Sequence, residues 1–313
     1  MHLSNLKILN KLLSSKNIII KTGIILSLIT YTGTSQPTEK DTFRLFFLGG
    51  QSNMNGYGYN TDLPKSLASD IKDVWIFHGN PEADEKENGG QGLWEIMKPG
   101  HGKGFSSNGK SNNLSDRFGP ELSFAKKMKE LYPNDKIAII KYSKSGSSLD
   151  SLAARHFGSW EPDYVGKTGI NQYDHFLNTI ANAFEINDID KNGKFDNLIP
   201  SGIVWMQGES DANNEEVAHK YFDNLKRLMD LIRASLLKDD LPIAIGKISD
   251  SGNNEKGKVW KYGELVQFAQ EKFALTDKNT VVIRSTKYYK YSDRHHYDSN
   301  GYIDLGEKFA EAI

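Results

Sequence analysis

The sequence predicts an α/β fold: a three-layer α/β/α sandwich built on a mostly parallel sheet of five or six strands. Three observations predict it. Short apolar runs alternate with amphipathic stretches of helical period, which is the pattern of βαβ units. The chain has 313 residues, enough for a large core, and shows no internal repeat. No linker-like segment divides it, so a single domain over residues 41–313 is expected, although length alone would allow two.

The elements follow in order. Phe43–Leu48 is an apolar run and reads as the first, buried strand. Asp73–Phe77, rich in Val, Trp and Ile, is a second. Glu121–Leu131 reads as a helix: Pro120 suits its first turn, Leu122, Ala125 and Met128 share a face, and Pro133 follows its end. Lys136–Tyr142 is a buried strand. Gln172–Ile186 is helical through Tyr173, Phe176, Ile180 and Phe184. Gly202–Met206 is a strand, and Glu215–Leu237 a long helix through Tyr221, Leu225, Leu228 and Ile232. Pro242–Ile248 is a strand, Glu264–Phe273 a helix, Thr280–Ile283 a strand. Ile303–Ile313 closes the chain as a helix through Leu305 and Phe309.

Two insertions break this rhythm, near residues 81–115 and 151–169. Both are polar, and loops of this length in a compact domain are functional or disordered. Trp94 lies in the first; His156, Trp160 and Tyr164 lie in the second. Trp75, Trp94, Trp160, Tyr57 and Tyr59 are candidates for stacking on a sugar, against the alternative of a place in the core.

Composition narrows the function. There are 39 basic and 40 acidic residues, scattered and without a basic stripe, which argues against nucleic acid as a partner. Cysteine is absent, which removes disulfides, thiol catalysis and lipoprotein anchoring. Residues 1–40 read as a signal peptide or disordered leader. Lys7, Lys11, Lys16 and Lys21 supply charge, Gly23 to Tyr31 a short apolar run, and Gly33-Thr34-Ser35 small residues for cleavage. The run is short for a membrane span, so stable membrane insertion is not expected once the leader is removed. The expected location is secreted or periplasmic, or held at the cell surface.

Three stretches carry the chemistry. Arg44–Gly56 runs from the first strand into Gly49-Gly50-Gln51-Ser52-Asn53. A serine there, on a glycine-rich turn past a buried strand, projects from the carboxyl edge of a sheet. Far downstream come Trp205-Met206-Gln207-Gly208-Glu209-Ser210-Asp211 and Asp293-Arg294-His295-His296. In this order the three blocks resemble the SGNH/GDSL-type hydrolases, and within them the carbohydrate esterase branch of sialate O-acetylesterases and family 6 acetylxylan esterases. The likeness rests on G-Q-S-N, W-x-Q-G-E-x-D and D-x-x-H followed by Gly301, with Gly119-Pro120-Glu121 fitting as well. It covers roughly Phe43 to Ile313 and implies the same three-layer fold.

Ester hydrolysis at neutral pH needs an activated hydroxyl, a base that also returns the proton, and donors for the oxyanion. The assignment is Ser52 as nucleophile, His296 as base and Asp293 as orienting acid. The Asp-x-x-His spacing puts both side chains on one short loop; the order Ser…Asp…His is no objection. His295 is the competing base, although the resemblance selects His296, and a pair of surface histidines is the plain reading. The oxyanion hole is assigned to the backbone N–H of Ser52, where free amides favour anions, to Gly146, and to the side-chain amide of Gln207. The resemblance places glutamine at this third position where the wider superfamily has asparagine. For Gly146 an ordinary flexible turn is the alternative.

Gln51, Asn53, Glu209 and Asp211 are expected to form a supporting network. Glu209 is also an alternative acid partner for His296, and Asp211 an alternative cap for the helix near Glu215. Asp188-Ile189-Asp190-Lys191-Asn192-Gly193-Lys194-Phe195-Asp196 has the start of a calcium loop, with Asp188, Asp190, Asn192 and Asp196 as ligands. Ile199 stands where the twelfth-position acid belongs, so a solvated polar turn competes with a structural Ca²⁺ site. No metal or organic cofactor is expected for catalysis.

The expected function is a serine carbohydrate esterase that removes O-acetyl groups from a polysaccharide or sialylated glycan through an acyl-enzyme. An O-acetylated carbohydrate is the expected partner. The rivals are a non-catalytic carbohydrate-binding protein on an esterase fold, a glycosidase built on Glu209 and a second carboxylate, and a lipase or thioesterase of the same superfamily.

Overall fold

Adjacent phenylalanines on the first strand face opposite helical layers. The computed structural model describes residues 40–252 and 257–313; residues 1–39, and with them the expected leader and cleavage site, lie outside the described residues. In chain order the elements are β1 (Asp41–Gly50), the one-turn helix α1 (Ser52–Asn55), β2 (Gly58–Tyr59), β3 (Val74–His78), β4 (Trp94–Ile96), β5 (Ser106–Ser107), β6 (Asn112–Asn113) and β7 (Arg117–Phe118). Then come α2 (Pro120–Leu131), β8 (Lys136–Ser143), α3 (Gln172–Glu185), β9 (Asp196–Met206), α4 (Glu215–Ser235), β10 (Ile243–Gly246), α5 (Gly263–Thr276), β11 (Thr280–Ile283) and α6 (Ser299–Ala312).

Successive side chains on a strand point to opposite faces. Phe46 of β1 meets Phe124 of α2 edge-on at 5.3 Å, while Phe47 meets Phe176 of α3 at 4.8 Å. The sheet is therefore sandwiched, and β1, at its middle, is buried from Leu45 onward. That explains its continuous apolar run: a strand covered on both faces has no polar side to alternate with. Helix α2 packs on α6, and α4 on α5.

The sheet has seven strands in the order β11-β10-β9-β1-β8-β3-β4. Six run parallel; β4 pairs antiparallel with β3. The count exceeds the expected five or six because β4 lies inside the first polar insertion, where three residues of strand leave no readable alternation. Strand β9 also starts earlier than Gly202. Pro200 looks like a boundary in sequence, but Ser201 bulges out between the pairs Leu45–Pro200 and Phe46–Gly202, and the strand continues through it.

Helix starts are chemically explicit. Pro120 opens α2, where its missing N–H costs nothing. Asn171 and Asp174 form a capping box on α3, Asn214 caps α4, and Asp298 caps α6. Among the described residues no helix is long and apolar enough to cross a membrane.

Both insertion tryptophans belong to the core, which corrects their candidacy as sugar platforms. Trp94 is 6% exposed and donates from Nε1 to the Ala183 carbonyl at 2.9 Å. Trp160 is 1% exposed, donates to Ser147 Oγ at 3.0 Å and packs edge-on against Trp205. Trp75 packs on Phe43, and Tyr59 lies under the Arg117 guanidinium.

Candidate active site

The chain leaves β1 through Gly50, whose φ of +144° is closed to other residues. A Cβ there would lie 2.0 Å from the Met206 carbonyl oxygen. This close crossing lets Gln51 N–H donate to Met206 O at 2.9 Å and brings the first block against the end of β9. Ser52 then opens α1 at the carboxyl edge of the sheet.

The residues flanking Ser52 tie the three blocks together. Gln51 Oε1 accepts from Gly208 N (3.3 Å), Ser210 N (3.2 Å) and Gln207 Nε2 (3.2 Å). Asn53 Nδ2 donates to Glu209 Oε1 at 2.7 Å and to the His295 carbonyl at 3.3 Å. Its Oδ1 accepts from Tyr302 Oη at 2.8 Å and from Tyr297 N at 3.4 Å. One amide side chain thus holds the serine turn, the turn after β9 and the histidine loop. Glu209 is buried, which pushes its carboxyl above the usual value against the opposing Asn53 hydrogen bond; its Oε2 has no partner.

His296 Nδ1 meets Asp293 Oδ2 at 2.7 Å, and Asp293 Oδ1 accepts from the backbone N–H groups of His295 (2.7 Å) and His296 (2.9 Å). A carboxylate on Nδ1 assigns the proton to that nitrogen and leaves Nε2 as the acceptor in the neutral ring. Burial lowers the His296 pKa against the opposing pull of Asp293. For Asp293, burial pushes upward, but the His296 and His295 hydrogen bonds outweigh it and hold the carboxyl below its usual value. Tyr57 stacks face-on with the His296 ring at 3.5 Å and 6°, and its hydroxyl donates to Ser145 Oγ at 3.3 Å. His295 differs: only its backbone reaches Asp293, and among the described residues its ring has no carboxylate partner. Glu209 makes its contact with Asn53 and not with the histidine ring.

Ser52, Gly146, His295 and His296 wall one cavity of about 200 Å³, together with Gln51, Tyr57, Ser145, Arg155, Phe157, Ser210 and Trp260. No hydrogen bond joins Ser52 to His296 in this geometry, a distance that often tightens only when substrate binds. The N–H groups of Ser52 and Gly146 have no acceptor among the described residues. Gly146 has φ +79°, and its carbonyl is fixed by Ser210 Oγ at 2.9 Å.

Gln207 does not fill the third oxyanion position. It is fully buried and absent from the cavity wall. Its Nε2 donates to Asp211 Oδ2 (2.5 Å), Gln51 Oε1 (3.2 Å) and Ser147 O (3.2 Å), so both amide hydrogens are already taken. Gln207 braces the floor of the site instead. Asp211 serves the same floor: it accepts from Leu149 N at 2.9 Å, while Asn214 caps α4. Burial raises the Asp211 carboxyl to about 7. Among the described residues no Asp or Glu lines the cavity, so they offer no pair of carboxylates of the kind a glycosidase sets across its scissile bond.

Sequence reasoning missed Arg155, Phe157, Ser210 and Trp260 as wall residues. It also missed Lys141, whose buried ammonium holds Asn55 O (3.0 Å) at the end of α1, His101 O (2.8 Å) and Glu121 Oε2 (2.7 Å). A lysine inside the apolar run of β8 was the available signal. At the other end of the sheet, the Asp188–Asp196 segment folds as a polar turn, with Asp188 accepting from Asn192 N and Gly193 N. Carboxylates of Asp41, Asp190 and Asp196 cluster within 4.8 Å, and the Lys136 ammonium sits 2.6 Å from both Asp41 and Asp190. Asp188 stays outside that cluster, and Asn192 Nδ2 donates to Asp41.

A three-layer α/β/α domain carries this wall at the carboxyl edge of its sheet, and its class is that of a carboxylic ester hydrolase. The chain belongs to the family described as carbohydrate esterase, sialic acid-specific acetylesterase, whose sequence model matches residues 42–313. Its fold is similar to that of a protein from Arabidopsis thaliana at 20% identity, covering 88% of this chain and 98% of that one, with a TM-score of 0.58. A carbohydrate acetylesterase from Xanthomonas citri is similar at 18% identity and TM-score 0.56, over 86% of this chain and 55% of that one. NanS is similar at 15% identity and TM-score 0.54, over 87% and 97%. Among curated proteins none matches in sequence.

Proposed function

We propose that this esterase removes O-acetyl groups from a carbohydrate through a covalent acetyl-Ser52 intermediate. The observation that carries it is the shared wall: Ser52, Gly146 and His296, with Asp293 on the His296 ring, border one cavity, and the N–H groups of Ser52 and Gly146 have no acceptor among the described residues. Ser52 Oγ attacks the acetyl carbonyl while His296 Nε2 takes its proton. The oxyanion is held by the N–H groups of Ser52 and Gly146, and Asp293 stabilises the imidazolium. The C–O bond to the sugar breaks as His296 returns the proton to the leaving oxygen. Water, deprotonated by His296, then attacks the acyl carbon; its bond to Ser52 Oγ breaks as His296 returns the proton to that oxygen, and acetate leaves. Acetate release from O-acetylated carbohydrates tests this: Ser52→Ala should lose it, and a folded variant that keeps wild-type turnover would sink the serine mechanism.

Arg155 favours an acidic sugar. It is exposed and lines a cavity on which, among the described residues, no carboxylate stands, as an O-acetylated sialoside would require and a neutral xylan would not. Arg155→Ala should raise KM for O-acetylated sialosides by about 10–100-fold, the range of a charge-assisted hydrogen bond. Equal effects on acetylated xylan would remove that preference.

A further inference from the structure

We infer that Phe157 sets the length of the acyl group the site accepts and limits it to acetyl. The inference rests on the reaction proposed above. Phe157 lines the cavity beside Ser52 and Gly146. Its ring lies directly on the glycine: a Cβ built at Gly146 would fall 2.5 Å from ring carbons Cγ and Cδ2.

The ring is held there. Phe157 N donates to Ala154 O at 3.1 Å, and Phe157 O accepts from Gln172 Nε2 at 3.2 Å. The His156 ring lies 3.8 Å away, and the Arg155 guanidinium sits over the Phe157 face at 5.1 Å. Arg155 itself has φ +50°, a backbone conformation kept only where the surroundings over-determine it.

The reaction geometry assigns the space. The leaving oxygen must face His296, and the carbonyl oxygen must face the N–H groups of Ser52 and Gly146. The acyl substituent is left the remaining wall of the cavity, to which Phe157, resting on Gly146, belongs. An acetyl methyl meets the ring there; each added methylene would run into it. A single methylene in such a pocket discriminates by about 10–200-fold.

The test measures kcat/KM for 4-nitrophenyl acetate, butyrate and hexanoate with the full chain, in wild type, Phe157→Ala and Phe157→Leu. Wild type should prefer acetate over butyrate by at least about tenfold. Phe157→Ala should raise the butyrate-to-acetate ratio about tenfold or more, and Phe157→Leu less. A melting curve checks folding; if the alanine variant does not fold, the leucine variant decides. A wild type that takes butyrate as readily as acetate overturns the inference. So does an unchanged ratio in a folded variant, including one in which only KM for an acetylated sugar rises. Wild type inactive on all three esters and on acetylated sugars would overturn the esterase reading and this inference with it; activity with an unmoved ratio overturns this inference alone.

Discussion

Asn53 donates to Glu209 across 2.7 Å in the interior, and the same side chain holds the carbonyl of His295. Asn53→Ala would leave a buried carboxyl group with neither oxygen partnered among the described residues, since Glu209 Oε2 already has none there. The expected loss is about 1–3 kcal/mol of unfolding free energy, read by guanidinium denaturation. Glu209→Gln keeps an acceptor for Asn53 and should be nearly neutral. Burial raises the Glu209 pKa, so its protonated form suits the fold and the wild type loses stability as pH rises through the raised value. Glu209→Gln should therefore gain on the wild type with rising pH. An Asn53→Ala protein as stable as wild type would show that this network does not hold the blocks together.

The two neighbouring histidines should separate cleanly. His296→Ala removes the base that Asp293 orients and should lower kcat by about 10²–10⁴-fold. His295→Ala should act chiefly on KM, because its ring lines the cavity without an acid partner. The reverse pattern in steady-state kinetics would transfer the base role to His295.

The pH profile of kcat/KM should rise as His296 deprotonates, with its midpoint below the usual histidine value of about 6.5, because burial lowers that pKa. Asp293 opposes this shift and raises the pKa by hydrogen bond and charge. Asp293→Asn should therefore move the midpoint lower still while reducing the plateau. A midpoint that rises in that variant would rule out Asp293 as the partner felt by the titrating group.

Lys141 and Glu121 form a fully buried ion pair at 2.7 Å behind α1. Breaking it from one side leaves an uncompensated charge, so Lys141→Met should cost about 3–5 kcal/mol. The double variant Lys141→Met/Glu121→Gln removes both charges and should recover a large part of that loss in a denaturation series. If the double variant were as unstable as the single one, the cost would come from packing and not from the orphaned carboxylate.

The parallel strands were legible because double burial forces continuous apolar runs, as in β1 and β8, and the order of Ser52, Asp293 and His296 was legible from residue type and spacing. What stayed hidden depends on partners remote in sequence. Nothing local says that Trp94 reaches the Ala183 carbonyl, or that three residues of a polar insertion close the sheet edge. Gln207 shows the same limit more sharply. Its type and place at the end of β9 suit an oxyanion donor, but the direction of its amide is decided by Asp211, Gln51 and Ser147. Tyr57, a candidate for stacking on a sugar, gives one ring face to His296 and lines the cavity, a pairing that nothing local in the sequence announces.

The hydrogen bond from Tyr302 to Asn53 joins α6 to the turn that carries Ser52. Synthesis runs from the amino end, so a ribosome-bound chain that ends at β11 possesses the serine and lacks the imidazole, the acid and the tyrosine that steadies the turn. On the proposed mechanism such a nascent chain should cleave no ester. Competence arrives late and all at once, with the closing segment, and any truncated product released early should be catalytically silent.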